Sequence, residues 1–108
     1  MKFGLAEDDI QQIQSVLADF PAIKRAILYG SRAKGTHKPS SDIDITLIGD
    51  SLTIETLNAL TARLYDLPLP YLFDISIFAH ISNPDVVAHI QRVGIDFPLQ
   101  NIFPAPLL

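Results

Sequence analysis

The feature that most constrains the fold is a glycine–serine pair followed, after ten residues, by two aspartates that are separated by one residue. Gly30 and Ser31 come directly after an apolar run that is typical of a buried strand. Asp42 and Asp44 then open a second segment, in which polar and apolar residues alternate as far as Leu47. Because alternation with a period of two indicates a half-buried strand, the sequence predicts two strands joined by a polar connection.

The second strand and a later one are predicted to bring three carboxylates together. Residues i and i+2 of a strand point the same way, so Asp42 and Asp44 project together, with α-carbons roughly 7 Å apart. A third acid, Asp74, lies inside an apolar run at residues 72–78. If that run is a neighbouring strand about 4.8 Å away, all three carboxylates converge. Mg²⁺ or Mn²⁺ would offset their repulsion, since these ions prefer oxygen ligands.

The glycine–serine pair predicts a site for phosphate beside the acids. Gly30 permits close approach of a ligand to the backbone, and Ser31 offers a hydroxyl and an N–H at the start of a turn or short helix. Arg32 and Lys34 add positive charge nearby. Each residue also has an ordinary structural explanation: a turn glycine, a capping serine and two solvated charges. Together with the acids, we interpret them as a nucleotide-phosphate cradle.

The combined pattern, YGSRAKG at residues 29–35 and SDID at residues 41–44, carries a family resemblance. It resembles the signature of the DNA polymerase beta-like nucleotidyltransferase superfamily. In a chain this short it is most similar to the minimal nucleotidyltransferases, the antitoxin halves of HEPN/minimal-nucleotidyltransferase toxin–antitoxin pairs. The resemblance spans roughly residues 5–95, and its specific part is residues 29–44. It implies an α/β fold similar to the polymerase beta palm, a small mixed sheet with packed helices.

The resemblance also implies a role for each matching residue. Asp42 and Asp44 match the metal-binding pair, and Asp74 matches the third acid, which helps to hold the catalytic metal. Gly30 and Ser31 match the residues that hold the triphosphate, whereas the two basic residues of the motif have no definite contact. The implied reaction uses ATP and two Mg²⁺ ions, with Mn²⁺ as a substitute. It transfers AMP to a tyrosine hydroxyl on a cognate HEPN ribonuclease toxin.

Two other classes of function remain open at this point. One is a binding-only antitoxin that blocks its toxin sterically, and the other is a nucleotidyltransferase that acts on RNA or a small molecule. The net charge of −4 and the pI near 5.1 argue against strong nucleic-acid binding, which needs a basic face. The lack of the additional substrate domains found in larger superfamily members argues against a self-sufficient small-molecule enzyme.

Length and composition indicate one domain over residues 1–108. Hydrophobic residues make up 48% of the chain and the mean hydropathy is +0.27, which is enough for a core with apolar surface to spare. The absence of cysteine excludes disulfides and thiolate zinc sites. No signal peptide or membrane-spanning run is visible, so we expect a cytoplasmic protein.

Periodicity predicts alternating helices and strands along the chain. We expect helices over residues 7–19 and 52–65 and a third from Asn83-Pro84-Asp85 to Gly94, with strands over residues 23–29, 42–48 and 71–78. Four residues of the second helix are predicted to face inward: Ile54, Leu57, Leu60 and Leu64. An apolar tail from about residue 95 is expected to pack on its own domain or, slightly preferred, against a partner.

The histidines are not expected to be ligands. His37 is predicted to lie in the connecting loop, and His80 and His89 are predicted to be surface or packing residues. Tyr29 is expected in the core.

Overall fold

The computed structural model describes residues 2–99. The elements in chain order are α1 (Glu7–Ala18), β1 (Arg25–Tyr29), α2 (Ser31–Lys34), β2 (Ile43–Ile48), α3 (Ile54–Tyr65), β3 (Phe73–Ile77), a 3₁₀ turn (Phe78–His80), α4 (Pro84–Val93) and β4 (Ile95–Phe97). None of the helices in this part of the chain is long and apolar enough to cross a membrane. The predicted alternation of helices and strands is confirmed.

The four strands form one mixed sheet in the order β3-β2-β1-β4. β1 is antiparallel to both of its neighbours, β2 and β4, whereas β2 and β3 are parallel. Parallel neighbours need a crossover connection, and α3 provides it. The prediction of a small mixed sheet with packed helices is therefore confirmed.

The hydrophobic core lies between one face of this sheet and the helices α1 and α3. Each helix contributes an apolar stripe with a spacing of three or four residues, as expected for an amphipathic helix. The fully buried side chains of these three elements include Ile10, Ile13, Leu17, Leu28, Ile43, Ile45, Leu47, Leu60 and Leu64. This face of the sheet thus provides the packing that holds the domain together.

The first residue of α3 departs from its predicted position. Thr53 caps the helix by accepting a hydrogen bond from the Thr56 backbone N–H at 3.1 Å. Leu60 and Leu64 are buried as predicted, but Ile54 is 53% exposed. The prediction for Ile54 is wrong because the first turn of α3 precedes the part of the helix that buries side chains against the core.

The last part of the described chain forms an element that periodicity did not predict. Asn83 caps α4 by accepting from the Asp85 N–H at 2.9 Å, and the helix ends at Gly94, both as predicted. Residues 95–97, placed in the apolar tail by the sequence analysis, instead pair with β1 as β4. Phe97 is buried, with its ring 5.8 Å from that of Phe3. Residues 100–108 of the tail lie outside the described residues.

Candidate active site

The acids lie on the face of the sheet opposite the core. In the parallel pairing of β2 with β3, Asp44 is the direct partner of Asp74, so their α-carbons are about 4.8 Å apart. On the other side of β2, Asp44 is the partner of Tyr29. Asp42 stands just before β2, two residues from Asp44. The predicted neighbourhood of the two acidic strands is confirmed, and a row of Tyr29, Asp44 and Asp74 crosses three strands.

The charge of this row is incompletely compensated. Burial raises the pKa of the Asp44 carboxyl above its ordinary 3.8, and the negative charges of Asp74 and Asp42 raise it further. Electrostatic interactions with His89 and Arg32 lower this pKa without reversing the shift. A divalent cation bound at the row would supply the missing positive charge, and carboxylate oxygens are its preferred ligands.

The row does not form a ready-made metal cluster. Within residues 2–99, no group of three or more acidic or histidine side chains is arranged so that it could hold a metal ion. Asp44 and Asp74 are nevertheless direct strand partners, and the side chains of Asp42 and Asp74 are exposed. The donor set therefore fits a hard cation in chemistry and in backbone placement, and metal binding by these acids stays a prediction.

Gly30 joins β1 to α2 in a backbone conformation that residues with a side chain rarely adopt. Its φ of 73° and ψ of −155° lie in a region that is essentially restricted to glycine. A Cβ atom at this position would collide with the carboxylate of Asp44. The predicted close approach is thus made by a side chain of the protein itself. The contact of Gly30 with a triphosphate remains a prediction.

The one-turn helix α2 places the other motif residues beside the acidic row. Ser31 is its first residue and follows directly on Gly30, whose chain neighbour Tyr29 is the strand partner of Asp44. Lys34 is its last residue and is exposed. The Ser31 hydroxyl and the N–H groups of this turn lie at the end of the sheet where the acids lie. Phosphate binding by Ser31 and Lys34 is untested by this arrangement.

The side chain of Arg32 is buried inside the domain. Its side chain is only 2% exposed, and its guanidinium donates hydrogen bonds to the carbonyls of Phe3, Pro39 and Ser41. The guanidinium carbon also lies 5.1 Å from the centroid of the Tyr71 ring. All three guanidinium nitrogens are engaged within the domain, and a contact of Arg32 with a nucleotide stays a prediction. Residue spacing alone could not reveal which side of a one-turn helix Arg32 faces.

The sequence analysis did not identify the Tyr29 hydroxyl and the His89 imidazole as neighbours of the acids. The Tyr29 ring meets the His89 ring edge to face at 6.2 Å. The pKa of Tyr29 is raised by burial, lowered by a hydrogen bond with Ser76, and raised by Asp74 and Asp44. The Tyr29 side chain is half-buried beside the acids rather than in the core.

These residues carried only weak sequence signals. Ser76 donates to the Thr46 hydroxyl at 2.9 Å, forming a second polar row beneath the acids. The strand alternation could have identified this pair, because Thr46 and Ser76 each follow an aspartate by two residues. His89 packs against another side chain as predicted, but its proximity to Asp44 depends on how α4 crosses the sheet. A helical pattern does not contain that information.

Comparison with known proteins agrees with this geometry. The family model described as "Polymerase beta, Nucleotidyltransferase" matches residues 11–97, so this chain belongs to the polymerase beta nucleotidyltransferase family. A search of curated proteins found no match.

Solved structures show the same fold at low sequence identity. A crystal structure of a toxin–antitoxin with AMP-PNP is 23% identical and superposes with a TM-score of 0.67, covering 90% of this chain and 76% of that one. A toxin–antitoxin MntA-HpeT mutant with two Asp-to-Glu substitutions is 20% identical, with a TM-score of 0.65 and coverages of 90% and 75%. The predicted nucleotidyltransferase fold is confirmed.

Proposed function

We propose that this nucleotidyltransferase-family protein transfers AMP from ATP to a hydroxyl group, with Asp42, Asp44 and Asp74 as ligands of two Mg²⁺ ions. The observation that supports it most is the direct pairing of Asp44 with Asp74 beside the Gly30–Ser31 turn. The raised pKa of Asp44 supports it further, since the row is short of positive charge. When bound, the ions would neutralise the triphosphate and polarise the reacting α-phosphate.

The residues of the chain would orient the substrate and move one proton. The N–H groups at the start of α2 and the Ser31 hydroxyl would hold the triphosphate, and Lys34 would add a charge contact. The acceptor oxygen attacks the α-phosphorus, and its proton passes to a carboxylate oxygen of Asp74. The bond from the α-phosphorus to the oxygen bridging to the β-phosphate breaks, and pyrophosphate leaves with that electron pair. Positioning and charge stabilisation would supply most of the acceleration.

We propose a HEPN ribonuclease toxin as the acceptor, modified on a tyrosine hydroxyl and thereby silenced in the cytoplasm. Support comes from the two similar structures, which are both toxin–antitoxin proteins and one of which contains AMP-PNP. The exposed positions of Asp42 and Asp74 are consistent with an acceptor that approaches from outside the domain.

Co-expression with the product of the adjacent gene tests this proposal. Intact masses of both proteins would be compared for wild type and for the Asp42→Asn/Asp44→Asn double variant. We expect AMP-mass increments on the partner with wild type and none with the double variant. A tight, unmodified complex that is the same with both forms would refute AMP transfer and establish a binding-only antitoxin. AMP transfer to RNA or a small molecule, with the partner unmodified, would retain the reaction and refute the acceptor.

A further inference from the structure

The buried guanidinium of Arg32 joins four separate parts of the chain. It belongs to α2, donates to Phe3 in the N-terminal turn, donates to two residues of the 35–42 loop, and lies over Tyr71. Burying an arginine is unfavourable unless its donors are satisfied, and here four hydrogen bonds and an aromatic face provide that compensation. Neither of the ion pairs formed within residues 2–99 includes this arginine.

Two of these parts lead directly into the acidic row. The Ser41 carbonyl accepts from both Nε at 3.2 Å and Nη2 at 2.9 Å, and it belongs to the peptide group that continues into Asp42. Tyr71 precedes Asp74 by three residues, at the entry to β3. Arg32 therefore donates hydrogen bonds to the residue before Asp42 and stacks on a residue three positions before Asp74.

Asp42 depends on such support because it stands outside the strand ladder. β2 begins at Ile43, whose N–H donates to the Leu72 carbonyl at 2.9 Å. On the other side, the Ser41 N–H donates to the Lys38 carbonyl at 3.0 Å within the loop. The fork of bonds from Arg32 fixes the plane of the peptide group between these two points.

We propose that Arg32 is a positioning residue, which fixes the Ser41–Asp42 peptide group and thereby aims the Asp42 carboxylate at the metal position. The inference rests on the proposed function in so far as Asp42 is a metal ligand there. Lysine would not replace it, because a single ammonium group cannot donate in a planar fork to one carbonyl while it also reaches two others. Support of this kind behind a ligand commonly changes metal affinity or activity by about 10–100-fold.

The test uses Arg32→Lys and Arg32→Gln, with Arg63→Gln as the matched control. Arg63 is also an arginine over an aromatic ring, at 5.8 Å from Phe20, but its side chain is 47% exposed and paired with Asp19. Mn²⁺ titration of the purified proteins would measure their affinity for the metal. Hydrogen exchange at the Ser41 and Ile43 amides would measure how firmly the Ser41–Asp42 peptide group is held. Tyr71→Leu, which keeps Arg32 and removes the aromatic ring on which it stacks, replaces either Arg32 variant that does not fold.

We expect the folded Arg32 variants to bind Mn²⁺ about 10–100-fold more weakly than wild type. They should also exchange both amides faster and lose kcat for AMP transfer with little change in KM for ATP. Arg63→Gln should match wild type in all of these. Wild-type Mn²⁺ affinity in Arg32→Lys, even with lower thermal stability, would overturn the positioning role. Absence of Mn²⁺ binding in wild type would refute the proposed metal site rather than the positioning role. In that case, unchanged amide exchange in the Arg32 variants would refute the hold of Arg32 on the Ser41–Asp42 peptide group.

Discussion

The two faces of the sheet differ along a single strand, β2. Ile43, Ile45 and Leu47 point to α1 and α3 and are completely buried. Asp44 and Thr46 alternate with them and point to the opposite face. One face thus supplies the free energy of folding, and the other carries the groups with chemistry. Because buried and polar residues alternate along β2, the packing of the buried set holds the acids in place on the opposite face.

The opposite face is only partly covered. α4 packs against β1 there, and its buried Ile90 lines the same cavity as Ile27 of β1. At the same level of the sheet as Ile27, this face carries the Thr46–Ser76 hydroxyl pair, and two residues before Ser76 on β3 Asp74 is exposed. Within the acidic row, Tyr29 and Asp44 are half-buried and Asp74 is exposed, whereas Ile27 and Thr46 in the neighbouring row are buried. The acidic row is therefore accessible from its β3 end.

The largest effect on stability is expected on the packed face. Leu47→Ala would remove a side chain that is 0% exposed and leave a cavity, lowering the free energy of unfolding by about 2–5 kcal/mol. Urea unfolding would measure it. Ile48→Ala, at the next position and on the other face, is half-buried and should cost clearly less. Equal losses for the two variants would contradict the division of the strand into a packed face and an open one.

A smaller stability effect, but a larger effect on the site, is expected at Gly30. Gly30→Ala would place a Cβ atom against the Asp44 carboxylate and force alanine into a glycine-only conformation, at a cost of about 1–3 kcal/mol. The comparison variant is Gly35→Ala, where φ is also positive at 79° but lies in the ordinary left-handed region, with no atom near the added Cβ.

The two glycine variants separate backbone strain from damage to the acidic row. Mn²⁺ titration and thermal unfolding of both proteins would be compared with wild type. Gly30→Ala should weaken Mn²⁺ binding strongly, whereas Gly35→Ala should retain it despite some loss of stability. If both variants bind Mn²⁺ equally, the close contact between Gly30 and Asp44 has no role in shaping the site.

The sequence predicted those features that depend on local pattern. A period of two forces Asp42 and Asp44 to the same side, and the Asn83-Pro84-Asp85 start predicts a helix because each residue satisfies a known end effect. β4 was missed because a strand of three residues is too short to show alternation. The burial of Arg32 and the proximity of His89 to Asp44 were missed because both arise from contacts between distant parts of the chain.

The smallest effect, and one of opposite sign, is expected for Asp44→Asn in the absence of metal. The pKa of Asp44 is raised in the folded state, first by burial and then by Asp74 and Asp42. A raised carboxyl pKa means that the folded state holds the proton more tightly than the unfolded state. Stability from this group is therefore complete below pH 3.8 and is lost as the pH rises through the folded-state pKa. At pH 7 the ionised group opposes folding.

Asp44→Asn should accordingly raise Tm slightly at pH 7, with a gain that shrinks as the pH falls towards 3.8. Asp96→Asn on β4 is the control, because it removes the partner of Arg25 in an exposed ion pair and should leave Tm unchanged or slightly lower. Thermal unfolding across this pH range, with and without Mg²⁺, would measure both variants. Mg²⁺ should stabilise wild type more than Asp44→Asn, since a ligand stabilises the state that binds it. A lower Tm for Asp44→Asn at pH 7 without metal would show that Asp44 stabilises the fold. The assignment of folding stability to one face of the sheet and chemistry to the other would then be wrong at Asp44.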